Sequence, residues 1–188
     1  GFDTGVRFLG SIGTTEDYVL TGSTIRNVDL GVVVTGNSSA TIKETLIENT
    51  QEEGIFFTDT QTDTLSVDNV TIRNFALDTS FTRAAIAGAT GGQPGTGDVI
   101  VTNSTFEDGP IGLAFANEDI EVSGNTFTGV TTVIKFGNTD VVATSAGNTA
   151  SGFSTLCDGS PNAVGDPDSD AVAPASVAFD GGIGNCDP

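Results

Sequence analysis

Three aspartates near the C-terminus have the spacing in this chain that most directly indicates chemistry. Asp166, Asp168 and Asp170 alternate in GDPDSDA at 165–171. Carboxylate oxygens are ligands that Ca²⁺ prefers, and alternating aspartates open a calcium loop of the EF-hand type. The later Gly and bidentate Glu of that loop are missing. We therefore expect either a Ca²⁺ site at these residues or a solvated polar loop, and no other cofactor.

Two cysteines, Cys157 and Cys186, flank a tail that is rich in Pro and Asp. An even pair in a chain of secreted character is more often bridged than reactive. We therefore predict a disulfide that closes residues 157–188 as a C-terminal tail or cap. In the chain-entropy model, a bridge over about 30 residues stabilises the fold by roughly 3 to 4 kcal/mol.

Three asparagines are candidates for N-linked glycosylation. Asn37, Asn69 and Asn103 each begin an Asn-X-Ser/Thr sequence, which is the acceptor sequence in secreted proteins. Asn is also a frequent residue of tight corners, so a purely structural role remains the alternative.

Residues of the usual catalytic kinds are scarce. The chain has no His, one Tyr, and six Lys plus Arg against 25 Asp plus Glu. Glycoside hydrolysis needs two carboxylates at a defined separation, and the sequence singles out no such pair. No catalytic residue is predicted, and whether the protein is an enzyme stays open, with the balance against it.

The charge excludes several classes of partner. A formal net charge of −19 repels nucleic acid and anionic membrane surfaces, and it also argues against a polyuronate substrate. No apolar run approaches the roughly 18 residues of a membrane span, so no membrane insertion is expected. A chain this acidic with so little Lys is also typical of proteins that stay hydrated in high salt, which predicts a halophilic source.

A degenerate repeat runs through most of the 188 residues. An apolar residue follows a bend at intervals of roughly 25 residues, a period that indicates a solenoid. These residues are Ile25, Ile47, Ile72, Phe106, Phe127 and, in degraded form, Ala150. Small polar residues that tolerate tight corners stand two positions before and after most of them. We interpret the one long interval as a loop insertion at 82–97.

Val, Ile, Phe and Thr dominate the repeat, and no half-repeat has a 3.6-residue period, so each coil is predicted to contain three short strands. The motif apolar-x-apolar-x-Gly/Asn-Asn-Thr-Phe, as in DIEVSGNTF at 119–127, resembles right-handed parallel β-helix proteins. It is similar to the repeats grouped with pectate lyases and periplasmic copper-site-assembly proteins. The resemblance implies an all-β solenoid of about six to seven coils of about 22–25 residues over 1–156, and says little about chemistry.

Alternation along the strands predicts which side chains line the inside of the coils. One internal column should contain the repeated residues Ile25 to Phe127 listed above. A second should contain Val34, Phe57, Phe115 and Phe136. Outside, Arg26, Glu48, Arg73 and Glu107 share one repeat offset and should form a ladder of ion pairs.

The start of the chain lies halfway through a coil, because GFDTGVRF at 1–8 aligns with NVDLGVVV at 27–34. The chain contains no Met, so we expect Gly1 to follow a cleavage such as signal-peptide removal. An incomplete coil exposes unpaired strand groups and apolar side chains. Phe2, Val6 and Phe8 are therefore predicted to form a stacking end.

The resulting functional hypothesis is a non-catalytic module that is secreted or displayed at the cell surface. It would serve as a structural or interaction element and stack head-to-tail into a filament, or on a neighbouring domain. The alternative is a carbohydrate-binding or carbohydrate-active domain, similar to polysaccharide lyases or hydrolases, with the 82–97 loop as one wall of a groove. Expected partners are other copies of the chain, an adjacent domain or a polysaccharide.

Overall fold

The computed structural model of the chain describes residues 2–11, 16–58, 64–77, 83–89, 98–116, 119–136, 144–159, 177–181 and 183–186. All regular elements in these ranges are β-strands. They are β1 (Phe2–Leu9), β2 (Glu16–Thr21), β3 (Thr24–Thr35), β4 (Ser38–Lys43), β5 (Leu46–Thr50), β6 (Ile55–Thr58), β7 (Thr64–Asp68), β8 (Thr71–Arg73), β9 (Ile86–Ala89), β10 (Asp98–Thr102), β11 (Thr105–Ala116), β12 (Asp119–Ser123), β13 (Thr126–Phe136), β14 (Thr144–Ala146), β15 (Thr149–Ser151), β16 (Thr155–Gly159), β17 (Val177–Phe179) and β18 (Gly184–Cys186).

The strands stack as a parallel β-solenoid. One ten-stranded sheet contains the order β15-β13-β11-β8-β5-β3-β6-β9, with β1 on β3 and β16 on β13. A second sheet has six strands in the order β14-β12-β10-β7-β4-β2. Because each coil contributes one strand to the second sheet, these six strands mark six coils, and β1 adds part of another. The predicted all-β coiled architecture is confirmed, and the number of coils agrees roughly with the prediction.

The first predicted internal column is confirmed by the register. Ile25 pairs with Ile47 of the next coil. The pairing continues from coil to coil through Ile72, Phe106, Phe127 and Ala150. All six are at most 8% exposed. Burial of these side chains is the main favourable contribution to holding the coils in register.

The second column differs from the prediction by one residue. Val34 pairs with Phe57, but Gly88 lies between Phe57 and Phe115. Phe115 pairs in turn with Phe136, whose side chain lies outside the described residues. Gly88 belongs to β9, so the column is completed by a segment that was predicted to be a loop.

That segment corrects part of the predicted loop insertion at 82–97. Ile86–Ala89 forms β9, which pairs in parallel with β6 and β11. Ala84, Ala85 and Ile86 are buried. Much of the extra length of this coil therefore precedes β9, at 74–85. Residues 90–97 lie outside the described part of the chain.

The corners follow the predicted chemistry. The residue two positions after each inward apolar residue has positive φ, which Asn, Asp and Gly tolerate better than other residues. These residues are Asn27, Asn49, Asn74, Asp108, Gly129 and Gly152, with φ between 50° and 67°.

Two buried asparagines connect the last coils, as expected for stacked corner residues. Asn125 accepts a hydrogen bond from Ser104 N at 2.9 Å and donates through Nδ2 to Val101 O at 2.8 Å. Asn148 repeats the pattern with Asn125 N at 3.0 Å and Val122 O at 2.8 Å. Both side chains are fully buried, so each satisfies backbone groups that water cannot reach.

At Gly31 the backbones of two neighbouring coils lie very close together, a contact that the sequence did not predict. A Cβ at this position would collide with the carbonyl oxygen of Gly54 in the next coil. The close approach recurs at the equivalent Gly54 and Gly112, although Ala85, which lies between them in the register, carries a Cβ.

Candidate interaction surface at the N-terminal end

Two strands at the N-terminal end have a free edge. Among the described residues, β1 pairs with β3 alone and β2 pairs with β4 alone. Each edge therefore presents a row of N–H and C=O groups without a strand partner, which is a template for pairing with another strand.

The inward side chains of these strands form an incompletely covered layer. Val6 and Phe8 of β1 and Tyr18 and Leu20 of β2 pack on the core and are only partly buried. One coil deeper, the corresponding residues Val32, Val34 and Ile42 have no exposed surface. The end of the apolar core is thus accessible at this end of the solenoid. We call these four residues the end layer.

The end layer is held in a defined geometry. The rings of Phe8 and Tyr18 stack with centroids 4.7 Å apart and an interplanar angle of 10°. Tyr18 Oη donates a hydrogen bond to Leu9 O at 2.7 Å. These contacts join β1 to β2 and hold the side chains of the end layer in one arrangement.

The predicted stacking end falls partly within this layer. The structure places Val6 and Phe8 there, and it pairs the backbone of Phe2 with Val28, while the side chain of Phe2 lies outside the described residues. Tyr18 and Leu20 were missed by sequence reasoning. The alternation in EDYVLT at 16–21 is the signal that could have found them.

The opposite end of the solenoid is covered by β17. Ala178 N donates to Ser145 Oγ at 2.7 Å, and Asp180 N donates to Asn148 O at 2.7 Å. Phe179 is 7% exposed, and its ring lies 6.1 Å from that of Phe127. Among the described residues the two ends therefore differ, because side chains of the C-terminal segment cover the core at this end.

Cys157, in the last coil, is disulfide-bonded. The side chain of Cys186 lies outside the described residues, so the pairing of these two cysteines remains a prediction. If they pair, the bridge ties β18, and through it β17, to the last coil.

We expect reduction to loosen the C-terminal end before the rest of the solenoid, because solenoid coils contact only their neighbours. Amides of β15 to β17 should lose hydrogen-exchange protection in reductant while those of β4 and β7 keep theirs. A Cys157→Ser variant should respond no further to reductant. Equal loss of protection in all coils would contradict the prediction.

On the outer face, three residues of the predicted ion ladder come together. Glu48 accepts hydrogen bonds from Arg73 at 2.7 and 2.9 Å, and Arg26 lies 3.7 Å away on its other side. Glu107 lies in register with Arg73, but no ion pair joins them. The side chains of Arg26 and Arg73 are 60% and 45% exposed, so this ladder contributes little to stability.

Arg83, which lies shortly before β9, forms a second and less exposed cluster of ion pairs. Its guanidinium contacts Glu53 at 3.0 Å and Glu52 at 3.3 Å. The side chain of Glu53 is only 5% exposed. Arg83 thus neutralises the buried carboxylate of Glu53, so its surroundings indicate a structural role.

The other predicted sites lie only partly within the described residues. The described ranges contain no group of three residues that could hold a metal ion, and Asp166, Asp168 and Asp170 lie outside them, so Ca²⁺ binding there stays a prediction. Asn69 and Asn103 are exposed at corners with φ of 54° and 51°, and Asn37 is partly buried. Their glycosylation stays a prediction.

Asp68 is the described acid with a shifted titration. Hydrogen bonds from Asn103 and Thr102, both at 2.9 Å, lower the pKa of the Asp68 carboxyl below its ordinary value of 3.8. Burial opposes this shift, and the charge of Lys43 adds to it. Because the pKa of Asp68 is lower in the folded than in the unfolded state, the ionised carboxylate stabilises the fold at pH values above the unfolded pKa. This stabilisation is lost as the pH falls through the folded pKa.

We therefore expect Asp68→Ala to lower the urea midpoint at pH 7, with a difference from the native chain that shrinks when pH falls below 3.8. Glu16→Ala removes the same charge from an exposed position and is the matched control. A difference that is independent of pH would show that the carboxylate charge is not involved.

Comparison with known families agrees with this geometry. The family model described as "Right handed beta helix region" matches residues 5–155. The chain therefore belongs to this family of right-handed β-helix proteins. No match was found among curated proteins or among solved structures. In the part of the chain that the structure describes, no helix has the length and apolar character needed to cross a membrane.

Proposed function

We propose that this chain is a non-catalytic structural or interaction module, secreted or held at the cell surface, that docks through its N-terminal end. The observation that carries the proposal is the end layer of Val6, Phe8, Tyr18 and Leu20, which is partly exposed beside two free strand edges. An accessible apolar layer next to unpaired strand groups is stabilised when another β-structure continues it.

The geometry favours docking at one end over head-to-tail stacking. A filament would require the N-terminal end of one copy to lie on the C-terminal end of the next. There, Val177 and Phe179 already cover the core. An assembly that uses only the N-terminal end is closed after one contact and does not grow into a filament.

The extracellular part of the proposal is supported by covalent chemistry and charge. Cys157 is disulfide-bonded, and such bonds persist mainly in oxidising compartments. The net charge of −19 keeps the chain away from nucleic acid and anionic membrane surfaces. Both features fit a module that contacts another protein surface in a secreted setting.

Sedimentation velocity over a range of protein concentrations tests the proposal. The native chain should associate, and Val6→Lys should stay monomeric because it places a charge in the end layer. Val19→Lys is the matched control, since Val19 is 69% exposed and points outward from the neighbouring strand. Measurements near 1 M salt, where the screening length is about 3 Å, remove the long-range repulsion between acidic copies.

Two outcomes would overturn the proposal. A native chain that remains monomeric at every concentration, with or without salt, would remove the docking role. Binding to neutral polysaccharides on a glycan array that Val6→Lys leaves unchanged would instead favour the carbohydrate-binding function that the sequence left open.

A further inference from the structure

The three acceptor sequences for N-linked glycosylation have different surroundings in the folded chain. They begin at Asn37, Asn69 and Asn103 and end at Ser39, Thr71 and Thr105. A glycan is bulky and polar, so a folded chain can carry one where the asparagine amide is exposed and makes no contact that the fold needs. The contacts of each amide therefore decide which acceptor sequence is compatible with the solenoid.

Asn37 is the least suitable of the three asparagines. It is partly buried, and its carbonyl oxygen accepts a hydrogen bond from Glu16 N at 3.1 Å. The hydroxyl oxygen of Ser39, the third residue of this acceptor sequence, accepts a hydrogen bond from Thr64 N at 3.1 Å. Both ends of the acceptor sequence thus take part in contacts between neighbouring coils.

Asn103 is exposed, but both polar atoms of its side-chain amide have contacts. Its Nδ2 donates a hydrogen bond to Asp68 Oδ1 at 2.9 Å. Its Oδ1 lies against Gly124 of the next coil, where an added Cβ would come within 2.8 Å of it. A sugar on Nδ2 would have to share this space with the Asp68 carboxylate and would disturb a charge-assisted hydrogen bond.

Asn69 is exposed at the same corner one coil earlier, because Asp68 pairs with Thr102 and Thr71 pairs with Thr105. Its backbone has φ of 54°, and its N–H donates to Thr102 O at 3.1 Å, so the position of the residue is fixed. Within the described ranges, the side-chain amide of Asn69 takes part in no hydrogen bond. Its nitrogen can therefore be modified without loss of a contact.

We infer that Asn69 carries an N-linked glycan, transferred from a lipid-linked oligosaccharide, and that Asn37 and Asn103 carry none. In this transfer, Nδ2 of Asn69 loses a proton to a base of the transferase and forms a bond to the anomeric carbon of the sugar. The bond from that carbon to the lipid phosphate oxygen breaks, and the lipid phosphate leaves. Neighbouring corners lie about 4.8 Å apart, too close for bulky glycans at both Asn69 and Asn103.

This inference rests on the secreted location in the proposed function, and it does not depend on docking through the end layer. The test is peptide mass spectrometry of the full chain, secreted from a eukaryotic host that performs N-linked glycosylation. Enzymatic release of the glycan converts the asparagine that carried it to aspartate and so identifies the residue. The native chain should carry its glycan at Asn69.

Two matched variants test the assignment. Thr71→Ala removes the acceptor sequence but keeps Asn69, so this variant should lose the glycan completely. Thr105→Ala makes the same change at the equivalent position of the next coil and should leave the glycan unchanged.

A further variant tests why Asn103 is excluded. In Thr71→Ala, Asn103 should stay without a glycan although Asn69 no longer competes with it. The double variant T71A/D68A also removes the carboxylate that binds Asn103 Nδ2, so a glycan should then appear at Asn103. A glycan at Asn103 in Thr71→Ala alone would overturn the selection by Asp68.

The outcomes separate this inference from the proposed docking. A secreted native chain without a glycan, or with its glycan at Asn37 or Asn103, would overturn the inference. Association that Val6→Lys abolishes in the same unglycosylated chain would retain docking through the end layer. A native chain that carries the glycan at Asn69 but never associates would retain this inference and remove the docking role.

Discussion

Replacing Phe127 with alanine is expected to destabilise the solenoid by about 3 to 5 kcal/mol, the largest single effect we predict. Phe127 is 1% exposed and stacks on Phe106 with ring centroids 4.9 Å apart. Its other side contacts Phe179 of the C-terminal segment. Truncation would leave a cavity between two coils and the strand that covers them, and a rigid parallel sheet can close such a cavity only in part.

Urea unfolding followed by circular dichroism measures this loss. Phe153→Ala, at a partly buried position of the last coil, is the matched control and should cost clearly less. Because solenoids can unfold coil by coil, the comparison requires transitions that coincide by circular dichroism and by the fluorescence of Tyr18. A loss below about 1 kcal/mol for Phe127→Ala would show that this column does not hold the coils together.

Asn125→Ala is expected to cost about 2 to 4 kcal/mol, because it leaves the buried N–H of Ser104 without an acceptor. The carbonyl of Val101 would also lose the hydrogen bond that it accepts from the Asn125 amide. No exposed surface at Asn125 lets water replace these bonds. The lost side-chain volume adds a further cost.

Asn49→Gly is the control that separates the loss of buried hydrogen bonds at Asn125 from the general role of asparagines at corners. Asn49 has φ of 58°, which Gly adopts readily, and its side chain donates to Asn27 Oδ1 at an exposed position. We expect this control to change the unfolding free energy by less than about 1 kcal/mol. Equal losses for both variants would contradict a special role for the buried ladder.

The coiled architecture could be predicted because its signals are local. Inward and outward positions alternate along each strand, and positive φ at the corners selects Asn, Asp or Gly wherever the chain turns. The column from Ile25 to Phe127 follows from these two regularities alone, and the register confirms it. Gly88 in the second column could not be found this way, because a glycine carries no apolar signal.

The strand at Ile86–Ala89 and the cover of the last coil depended on relations between distant segments. Nothing near Ile86–Ala89 distinguishes a strand from a loop, and β6 and β11 decide its pairing. Phe179 likewise covers the last coil by contacting Phe127 and pairing with Asn148, which are both distant in the sequence.

The amino-acid sequence by itself determined the period, the inward residues and the corners, because each depends on the backbone preferences of a few neighbouring residues. The tertiary structure alone decided which side chains lie at each end of the core, namely Tyr18 and Leu20 beside β1 and Phe179 over the last coil. These properties depend on which coil lies against which, and pairing between coils is a long-range relation that no local pattern specifies.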